Sequence, residues 1–317
     1  MNEDVRHIGQ DIASMRIRGA GRIAVAAAEA LAIAAQTSTA TSYEELKEDV
    51  RQAAAYLVAA RPTAVSLPNA VRFVLVNGTK GGAGTAEAYR EAVQEASRAF
   101  VTSATEALSR IGAFGARRIK DGDKVMTVCN SNAAIEVMRQ AYRDGREFEV
   151  FAMETRPWFQ GRLTARALAA EGIPVNLIVD SAARFFMKDM DHLITGADAI
   201  TANGAVVNKI GTATASLAAH EARVRVMVAA ETYKFHPDTM AGELVEIEER
   251  DEEEVLPAQD ARALSGVRVR NPVFDITPPE YVDIIVTERG IIPPQASFFL
   301  LTELFGWRIT DRDPWER

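Results

Sequence analysis

The stretch that decides the fold is KVMTVCNSNAA, residues Lys124–Ala134. Its apolar residues, Val125–Val128, predict a buried strand, and the Asn-Ser pair that follows is typical of a helix N-cap. A helix-forming run, Ala133–Tyr142, comes next. The stretch therefore predicts a strand, a short loop and a helix, with the only cysteine of the chain, Cys129, at the end of the strand.

The position of Cys129 allows two interpretations. Ligands of open α/β sheets bind beyond the carboxyl ends of the strands, and helix N-termini favour anions, so a thiol there can be a base or a nucleophile beside a phosphorylated ligand. Free cysteine is also among the most buried residue types and is often inert. This stretch alone favours the inert thiol, so other residues have to decide.

Short apolar runs separated by helical stretches recur in the C-terminal part of the chain. They are Val125–Val128, Phe148–Met153, Val175–Val179, Leu193–Ile200, Val224–Ala229 and Asp283–Val286. This alternation predicts βαβ units and a largely parallel sheet. The residues before Arg117 show helical patterns almost without strand signals. We therefore predict an α/β protein with a helical N-terminal domain at 1–117 and an α/β domain at 118–317.

The N-terminal part contains three clear helical signals and three loops. The helical signals are the alanine-rich run Ile23–Ala35, the capping-box pair Ser42 and Glu45 before Tyr43–Ala60, and the amphipathic run Thr85–Ile111 with Thr85 as an N-cap. The loops are RIRGAGR (Arg16–Arg22), RPTAVSLPN (Arg61–Asn69) and GTKGGAG (Gly78–Gly84). The last lacks the spacing of a phosphate-binding loop and predicts a flexible connection.

Composition excludes several classes of protein. The net charge of -8 argues against a general binder of nucleic-acid backbones, which needs a basic surface. One cysteine excludes an intrachain disulfide framework and a site with several thiolates. The N-terminus lacks the basic start and apolar run of a secretory signal, and Ile23–Ala35 is too short to span a membrane. We expect a cytoplasmic protein.

Cationic and polar residues follow the second predicted strand, in the stretch ETRPWFQGRLTA (Glu154–Ala165). Arg156, Gln160 and Arg162 lie in this turn, and arginine side chains suit phosphate oxygens. Gly161 at the start of a helix would let a ligand approach backbone N–H groups. For any single arginine the alternative is an ion pair with Glu154 in contact with solvent.

A carboxylate follows the predicted strand Leu193–Thr195. Asp198 lies close in sequence to Asn203, Asn208 and Lys209, so it is either a capping residue or an acid–base group. Lys234 follows the next strand and is available for a second anionic group. Together with Cys129, these residues predict acid–base chemistry on a small phosphorylated substrate.

Dinucleotide and metal sites have no comparable signal. No glycine fingerprint of a dinucleotide-binding turn is present in the sequence. The four histidines, His7, His192, His220 and His236, are scattered, and we expect packed or solvated side chains for all of them. We expect neither a metal nor a required cofactor.

The sequence resembles the superfamily of sugar-phosphate isomerases that are related to the regulatory subunits of eukaryotic initiation factor 2B. The motifs that match are IRGAG (Ile17–Gly21), ARPTAVSL (Ala60–Leu67), TVCNS (Thr127–Ser131), ETRPWFQGRLTA (Glu154–Ala165), GADAITANGAVVNKIGT (Gly196–Thr212) and NPVFDITPPEYVDIIVTERG (Asn271–Gly290). They span nearly the whole chain in the order found in the family. The resemblance implies a helical N-terminal domain, a Rossmann-like C-terminal domain and an active site between them.

The resemblance also implies a catalytic pair. In the isomerases, a cysteine and an aspartate act from the motifs that are matched here by Cys129 and Asp198. The substrates of these isomerases are sugars with a phosphate on C1. We expect Asp198, in its protonated form, to donate a proton to the ring oxygen of the sugar. We expect Cys129, as a thiolate, to move a proton from C2 of the sugar to C1. A helix N-terminus and nearby cations would lower the pKa of Cys129 from roughly 8.5.

The expected substrate-binding residues come from both parts of the chain. Some match family motifs, and others, among them Arg61 and Lys234, are inferred from their charge and place. They are Arg18, Gly19, Ala20 and Arg61, expected to bind one phosphate, and Arg156, Gln160, Asn208, Lys209 and Lys234, expected to bind the rest of the substrate.

Three functions found within the superfamily are alternatives for this chain. Methylthioribose-1-phosphate isomerases usually have CNTG, GADR and RGAP where this chain has CNSN, GADA and RGAG. The chain is more similar to the archaeal ribose-1,5-bisphosphate isomerases, which implies formation of ribulose 1,5-bisphosphate from α-D-ribose 1,5-bisphosphate in an AMP-degradation route feeding an archaeal Rubisco. A non-catalytic regulatory subunit is the third alternative, and the retained Cys129 and Asp198 count against it. The resemblance also implies activation by AMP and a homodimer or homohexamer.

Overall fold

The computed structural model describes residues 1–80, 82, 84–242, 244–261, 264, 266–305 and 313–315. These residues form two compact units. The first, here called the helical unit, comprises Met1–Ala107, Tyr233–Phe235 and residues 313–315; the second, the sheet unit, comprises the other described residues. The division lies ten residues before the end of the predicted domain 1–117, and those domain limits stay a prediction.

Five helices supply most of the helical unit. They are α1 (Glu3–Ala13), α2 (Ala20–Thr37), α3 (Tyr43–Ala60), α4 (Ser66–Thr79) and the first part of α5 (Ala86–Ala116). Helix α2 is apolar on nearly all sides, and its alanines let neighbouring helices approach it closely. Ala24, Ala27 and Leu31 are completely buried, so α2 forms the centre of this unit.

The predicted helix limits in this unit are mostly confirmed. The capping box of Ser42 and Glu45 is formed, and Thr85 Oγ1 accepts the N–H of Ala88. The loop predicted at Arg61–Asn69 is shorter than expected, because α4 begins at Ser66 and includes Pro68 in its first turn, where N–H groups have no partner within the helix. The loop predicted at Gly78–Gly84 lies partly outside the described residues.

The sheet unit contains the remaining elements. In order these are β1 (Lys124–Thr127), α6 (Asn132–Arg143), β2 (Glu149–Met153), α7 (Gln160–Ala169), β3 (Val175–Ile178), α8 (Ala183–Met187), β4 (His192–Thr195), β5 (Ala199–Ile200), β6 (Val206–Lys209), α9 (Thr212–Ala222), β7 (Arg225–Ala229), α10 (Ala258–Ala261), β8 (Phe274–Thr277), β9 (Ile284–Thr287), β10 (Gly290–Ile292) and α11 (Ser297–Phe305). In the described part of the chain, seven of these strands form one sheet in the order β10-β9-β7-β4-β1-β2-β3.

This sheet is parallel except at β10, which pairs antiparallel with β9. The predicted Rossmann-like α/β fold is therefore confirmed. Strand order reverses between β1 and β4, because the chain proceeds from β1 to β2 and β3 and then returns to the other side of β1. In doubly wound sheets, ligands bind at such a switch point, beyond the carboxyl ends of the strands.

The apolar run Leu193–Ile200 contains two strands in different sheets, and the predicted strand end at Thr195 is confirmed. Strand β4 ends at Thr195, and after Gly196–Asp198 the chain enters β5 of a small antiparallel sheet, β5-β6-β8. The turn allows a close approach, since a Cβ on Gly196 would lie 2.3 Å from Ser131 Oγ. The structure thereby places Asp198 after the end of β4, as predicted.

No helix in the described ranges is long and apolar enough to cross a lipid bilayer.

We predict that Leu31→Ala lowers the free energy of unfolding by about 2–5 kcal/mol, because it removes a completely buried side chain and leaves a cavity at the centre of the helical unit. Urea denaturation followed by circular dichroism measures this loss. Val76→Ala on α4 is the control, since Val76 is 41% exposed and its truncation should change the free energy by less than about 0.5 kcal/mol. Equal effects of the two substitutions would contradict a core centred on α2.

Candidate active site

The carboxyl ends of β1 and β4 bring the predicted catalytic pair to the switch point. Thr127 pairs with Ile194, so Cys129 and Gly196 each follow that pair by two residues. Ser131 then caps α6, as predicted, by accepting the N–H of Ala134. Cys129 and Asp198 are both partly exposed. A main-chain hydrogen bond fixes Asp198, because its N–H donates to Val207 O at 2.9 Å.

The electrostatic surroundings of Cys129 differ from the expectation. Burial raises the pKa of its thiol to about 11, an effect that the positive charge of Lys209 only partly offsets. The negative charges of Asp198 and Asp180 raise the pKa further. The expected lowering was therefore wrong: desolvation outweighs the helix N-terminus and the nearby cation, and the thiol is neutral at pH 7.

Lys209 is close enough to act on two acidic groups of the site. It is 7% exposed, its Nζ donates to Val273 O at 3.1 Å, and it lies 4.9 Å from the centre of the Phe274 ring. Its charge lowers the pKa of Cys129 and that of Asp275. Cys129, Asp198 and Lys209 therefore form one electrostatically coupled group in the sheet unit.

The neighbouring amides have structural partners. Asn208 is buried, and its Nδ2 donates to Thr195 Oγ1 and Thr212 Oγ1 at 2.9 and 3.0 Å. Asn203 Oδ1 accepts from Thr201 Oγ1 and from the N–H of Ala205 within the turn between β5 and β6. The side-chain amide of Asn208 is thus fixed by two hydroxyl groups, and its role in binding stays a prediction.

The turn after β2 contains the predicted arginines. Arg156 is exposed, and its Nη2 donates to Val255 O at 3.2 Å. Arg162 makes the ion pair with Glu154 that was the alternative interpretation, at 3.0 Å. Gln160 begins α7, and among the described atoms its buried Oε1 has no hydrogen-bond partner.

Gly161 allows close packing at the start of α7. Its N–H donates to Glu154 O at 3.2 Å, and a Cβ at this position would lie 1.7 Å from Met153 O. The N–H of Gly161 itself thus has a partner in the chain, and the approach of a ligand to the N–H groups at this helix start stays a prediction. The glycine lets α7 start directly against the end of β2.

The other predicted binding residues belong to the helical unit. Gly19 is the N-cap of α2 with a φ of 89°, Arg18 precedes it, and Ala20 begins the helix. Arg61 ends α3. Lys234 is buried in a short 3-10 turn, where the carbonyls of Tyr233 and Phe235 accept from Asn69 Nδ2. Their roles in binding stay predictions.

Sequence reasoning missed Asp275 and the residues that hold the main chain of Cys129. Asp275 lies in a matched motif, and its carboxylate accepts the N–H groups of Gly211 and Ala213 at the start of α9. Burial raises its pKa to about 6 against the opposing effects of these bonds and of Lys209. The sequence around Asp275 gives no signal that this residue caps α9, because the helix begins more than 60 residues earlier in the chain.

No group of three or more His, Cys, Asp or Glu suited to hold a metal occurs among the described residues. A thiol, a carboxylate and a cation that act on one another suit proton transfer. The structure is that of an α/β protein with these candidate acid–base groups at the switch point of a parallel sheet.

Comparison with known proteins identifies the family. A model of the initiation factor 2 subunit family matches residues 16–294, so the chain belongs to that family. The ribose 1,5-bisphosphate isomerase of Thermococcus kodakarensis is 51% identical over 99% of this chain and 98% of its own. The methylthioribose-1-phosphate isomerase of Acetivibrio thermocellus is 38% identical over 90% of this chain and 87% of its own.

A solved structure supports the same fold. The Pyrococcus horikoshii translation initiation factor eIF-2B is 32% identical with a TM-score of 0.79, over 94% of this chain and 100% of the other. The resemblance found in the sequence motifs is therefore confirmed.

We predict that alkylation of Cys129 by iodoacetamide rises with pH along a curve centred near the pKa of about 11. Lys209→Met should move the curve to higher pH, because a positive charge is lost, and Asp198→Asn should move it to lower pH. Mass spectrometry follows the reaction at one site, since the chain has one cysteine. Shifts in the opposite directions would contradict the coupling of these three side chains.

We also predict a pH-dependent contribution of Asp275 to stability. Because the folded-state pKa is raised to about 6, this carboxyl favours folding most at pH values below its ordinary value of 3.8, and the contribution is lost as the pH rises to 6. The free energy of unfolding of the wild type, relative to Asp275→Asn, should fall by on the order of 2–3 kcal/mol between pH 4 and 7.

Urea denaturation at a series of pH values measures this difference. Asp189→Asn removes the same charge from an exposed position of the sheet unit and is the matched control. A difference that stays constant from pH 4 to 7 would contradict the raised pKa.

Proposed function

We propose that this protein is a ribose 1,5-bisphosphate isomerase that converts α-D-ribose 1,5-bisphosphate into D-ribulose 1,5-bisphosphate. The observation that carries the proposal is the 51% identity, over nearly the full length of both chains, to a protein of that name. The lower identity of 38% to a methylthioribose-1-phosphate isomerase makes that activity the second candidate. The coupled thiol, carboxylate and ammonium supply the acid–base groups that either isomerisation needs.

The chemistry of the substrate explains why two proton-transferring groups are needed. A phosphate on the anomeric oxygen prevents ordinary opening of the ring. The bond between C1 and the ring oxygen breaks when an acid protonates that oxygen while a base removes the proton on C2. The resulting enol then becomes the ketose when a proton is added to C1 and the C2 hydroxyl loses its proton.

In the proposed mechanism Asp198 is the acid and Cys129 is the base. Asp198 protonates the ring oxygen and later accepts the proton of the C2 hydroxyl. The Cys129 thiolate removes the proton on C2 and returns it to C1. Each group ends in the protonation state in which it began, so the cycle balances.

The raised pKa of Cys129 sets a condition for this mechanism. The pKa of about 11 leaves a proton on the thiol at neutral pH, whereas the proposed base is the thiolate. The ammonium of Lys209 favours the thiolate, because its positive charge lowers the pKa of Cys129.

The binding of the phosphates is proposed for cationic and backbone groups. Gly19 and Ala20 begin α2, where an anion is favoured by N–H groups, and Arg18 precedes them. Arg61 and Lys234 add positive charge in the helical unit, and Arg156 and Gln160 lie at the start of α7. A cytoplasmic location, activation by AMP and a homodimer or homohexamer are further parts of the proposal.

We predict that the purified protein converts ribose 1,5-bisphosphate and that Cys129→Ser and Asp198→Asn each lower kcat by about 10²–10⁴-fold. Both variants should still bind substrate, because neither removes a cationic group. Detection of ribulose 1,5-bisphosphate, with and without AMP, measures the reaction, and Asp189→Asn is the control with an exposed charge removed.

Methylthioribose 1-phosphate is the competing substrate in the same assay. Turnover of this compound alone would replace the proposed substrate with the second candidate. No turnover of either compound would favour a non-catalytic subunit. Full activity of Cys129→Ser or Asp198→Asn would refute the mechanism but not the substrate.

A further inference from the structure

The main chain of Cys129 adopts an unusual conformation. Its φ is 65°, in the left-handed region that a side chain other than glycine rarely occupies. Such a conformation is strained for a residue with a side chain and persists only where the surroundings fix it. Two buried threonines make these fixing contacts, one at each peptide group of Cys129.

Thr155 holds the N–H side. Its Oγ1 accepts the N–H of Cys129 at 2.9 Å and donates its own proton to Met153 O at 3.1 Å. Thr155 is 1% exposed and has a φ of 62°, and its N–H donates to Asp180 Oδ1 at 2.7 Å. The N–H of Arg156 donates to the other oxygen of Asp180, also at 2.7 Å. The carboxylate thus fixes the turn that carries Thr155.

Thr164 holds the carbonyl side. Its Oγ1, on α7, donates to Cys129 O at 2.7 Å and accepts from Asn130 Nδ2 at 2.9 Å. Thr164 is 1% exposed, so these bonds have little competition from water. The hydroxyl of Thr164 therefore links Cys129 and Asn130, which precede α6, to α7.

We propose that Thr155 and Thr164 are positioning residues that hold Cys129 in the left-handed conformation required for proton transfer. The conformation sets the direction of the Cα–Cβ bond and therefore the place of Sγ relative to Asp198 and Lys209. This inference rests on the proposed function for its effect on activity. Catalytic geometry has little tolerance, since a displacement of 1 Å can cost about 10²-fold in rate.

Threonine substitutions test the inference more cleanly than substitution of Asp180. The charge of Asp180 acts on the pKa of Cys129 directly, so its removal would change both geometry and electrostatics. Thr→Val keeps the approximate shape of the side chain and replaces the hydroxyl with a methyl group. Thr→Ser keeps the hydroxyl and removes the methyl group.

We predict that Thr155→Val and Thr164→Val each lower kcat for ribose 1,5-bisphosphate by about 10–100-fold, with KM changed by less than about threefold. Thr155→Ser and Thr164→Ser should retain most of the activity. Steady-state kinetics, with circular dichroism to establish folding, measures these effects. The serine variants keep the test decisive if a valine variant does not fold, because their loss of activity would overturn the inference.

Thr287→Val is the matched control. Thr287 is completely buried in β9, where its Oγ1 donates to Gly290 O at 3.0 Å and accepts the N–H of Arg289 at 3.1 Å. This substitution removes two similar hydrogen bonds away from Cys129 and should leave kcat within about twofold of the wild type. Equal losses of kcat in Thr287→Val and in the two valine variants would overturn the inference.

Alkylation of Cys129 separates this inference from the proposed function. Thr155→Val and Thr164→Val should change the pH dependence of the reaction with iodoacetamide, and the serine variants should not. If the wild type fails to isomerise ribose 1,5-bisphosphate while alkylation responds in this way, the substrate is wrong and the positioning role is supported. If the wild type is active and the valine variants change neither kcat nor alkylation, the positioning role is wrong.

Discussion

The parallel pairing of β1 with β4 is the contact on which the candidate site depends. After β1 the chain proceeds to β2 on one side of this pair, and after β4 it proceeds to β7 on the other side. Cys129 and Asp198 therefore follow adjacent strands at the same edge of the sheet, although 69 positions separate them in the sequence. This arrangement also needs Gly196, because a side chain there would collide with Ser131, the cap of α6. A shift of this pairing would separate the thiol from the carboxylate.

The raised pKa values of Cys129 and Asp275 follow from the burial of their acidic groups. Sequence alone singled out Cys129 and Asp198, because each follows a predicted strand. It singled out Lys209 because this residue lies close to Asp198 in a matched family motif. It failed for the pKa of Cys129, since the balance between burial and a nearby ammonium depends on packing that no local motif records. It also missed Thr155 and Thr164, whose hydroxyls bond to the main chain of a residue 26 and 35 positions away.

The fold could be predicted where the apolar pattern is long and where a cap is local. The strands of the parallel sheet and the start of α3 at Ser42 belong to this group. The small sheet β5-β6-β8 was not predicted, because its strands are short and β8 pairs with a segment more than 60 residues before it. The end of β4 at Thr195 was predicted, but the separate strand β5, Ala199–Ile200, was not.

The left-handed conformation of Cys129 has a consequence for the stability of the fold. Glycine would occupy a φ of 65° without strain, so a chain selected for stability alone would gain by replacing the cysteine. Thr155 and Phe159, in the next turn, have the same sign of φ and the same disadvantage. Three residues with side chains at this edge of the sheet thus lower the stability of the fold locally. The fold tolerates a local loss of stability there in exchange for a thiol held at a fixed place.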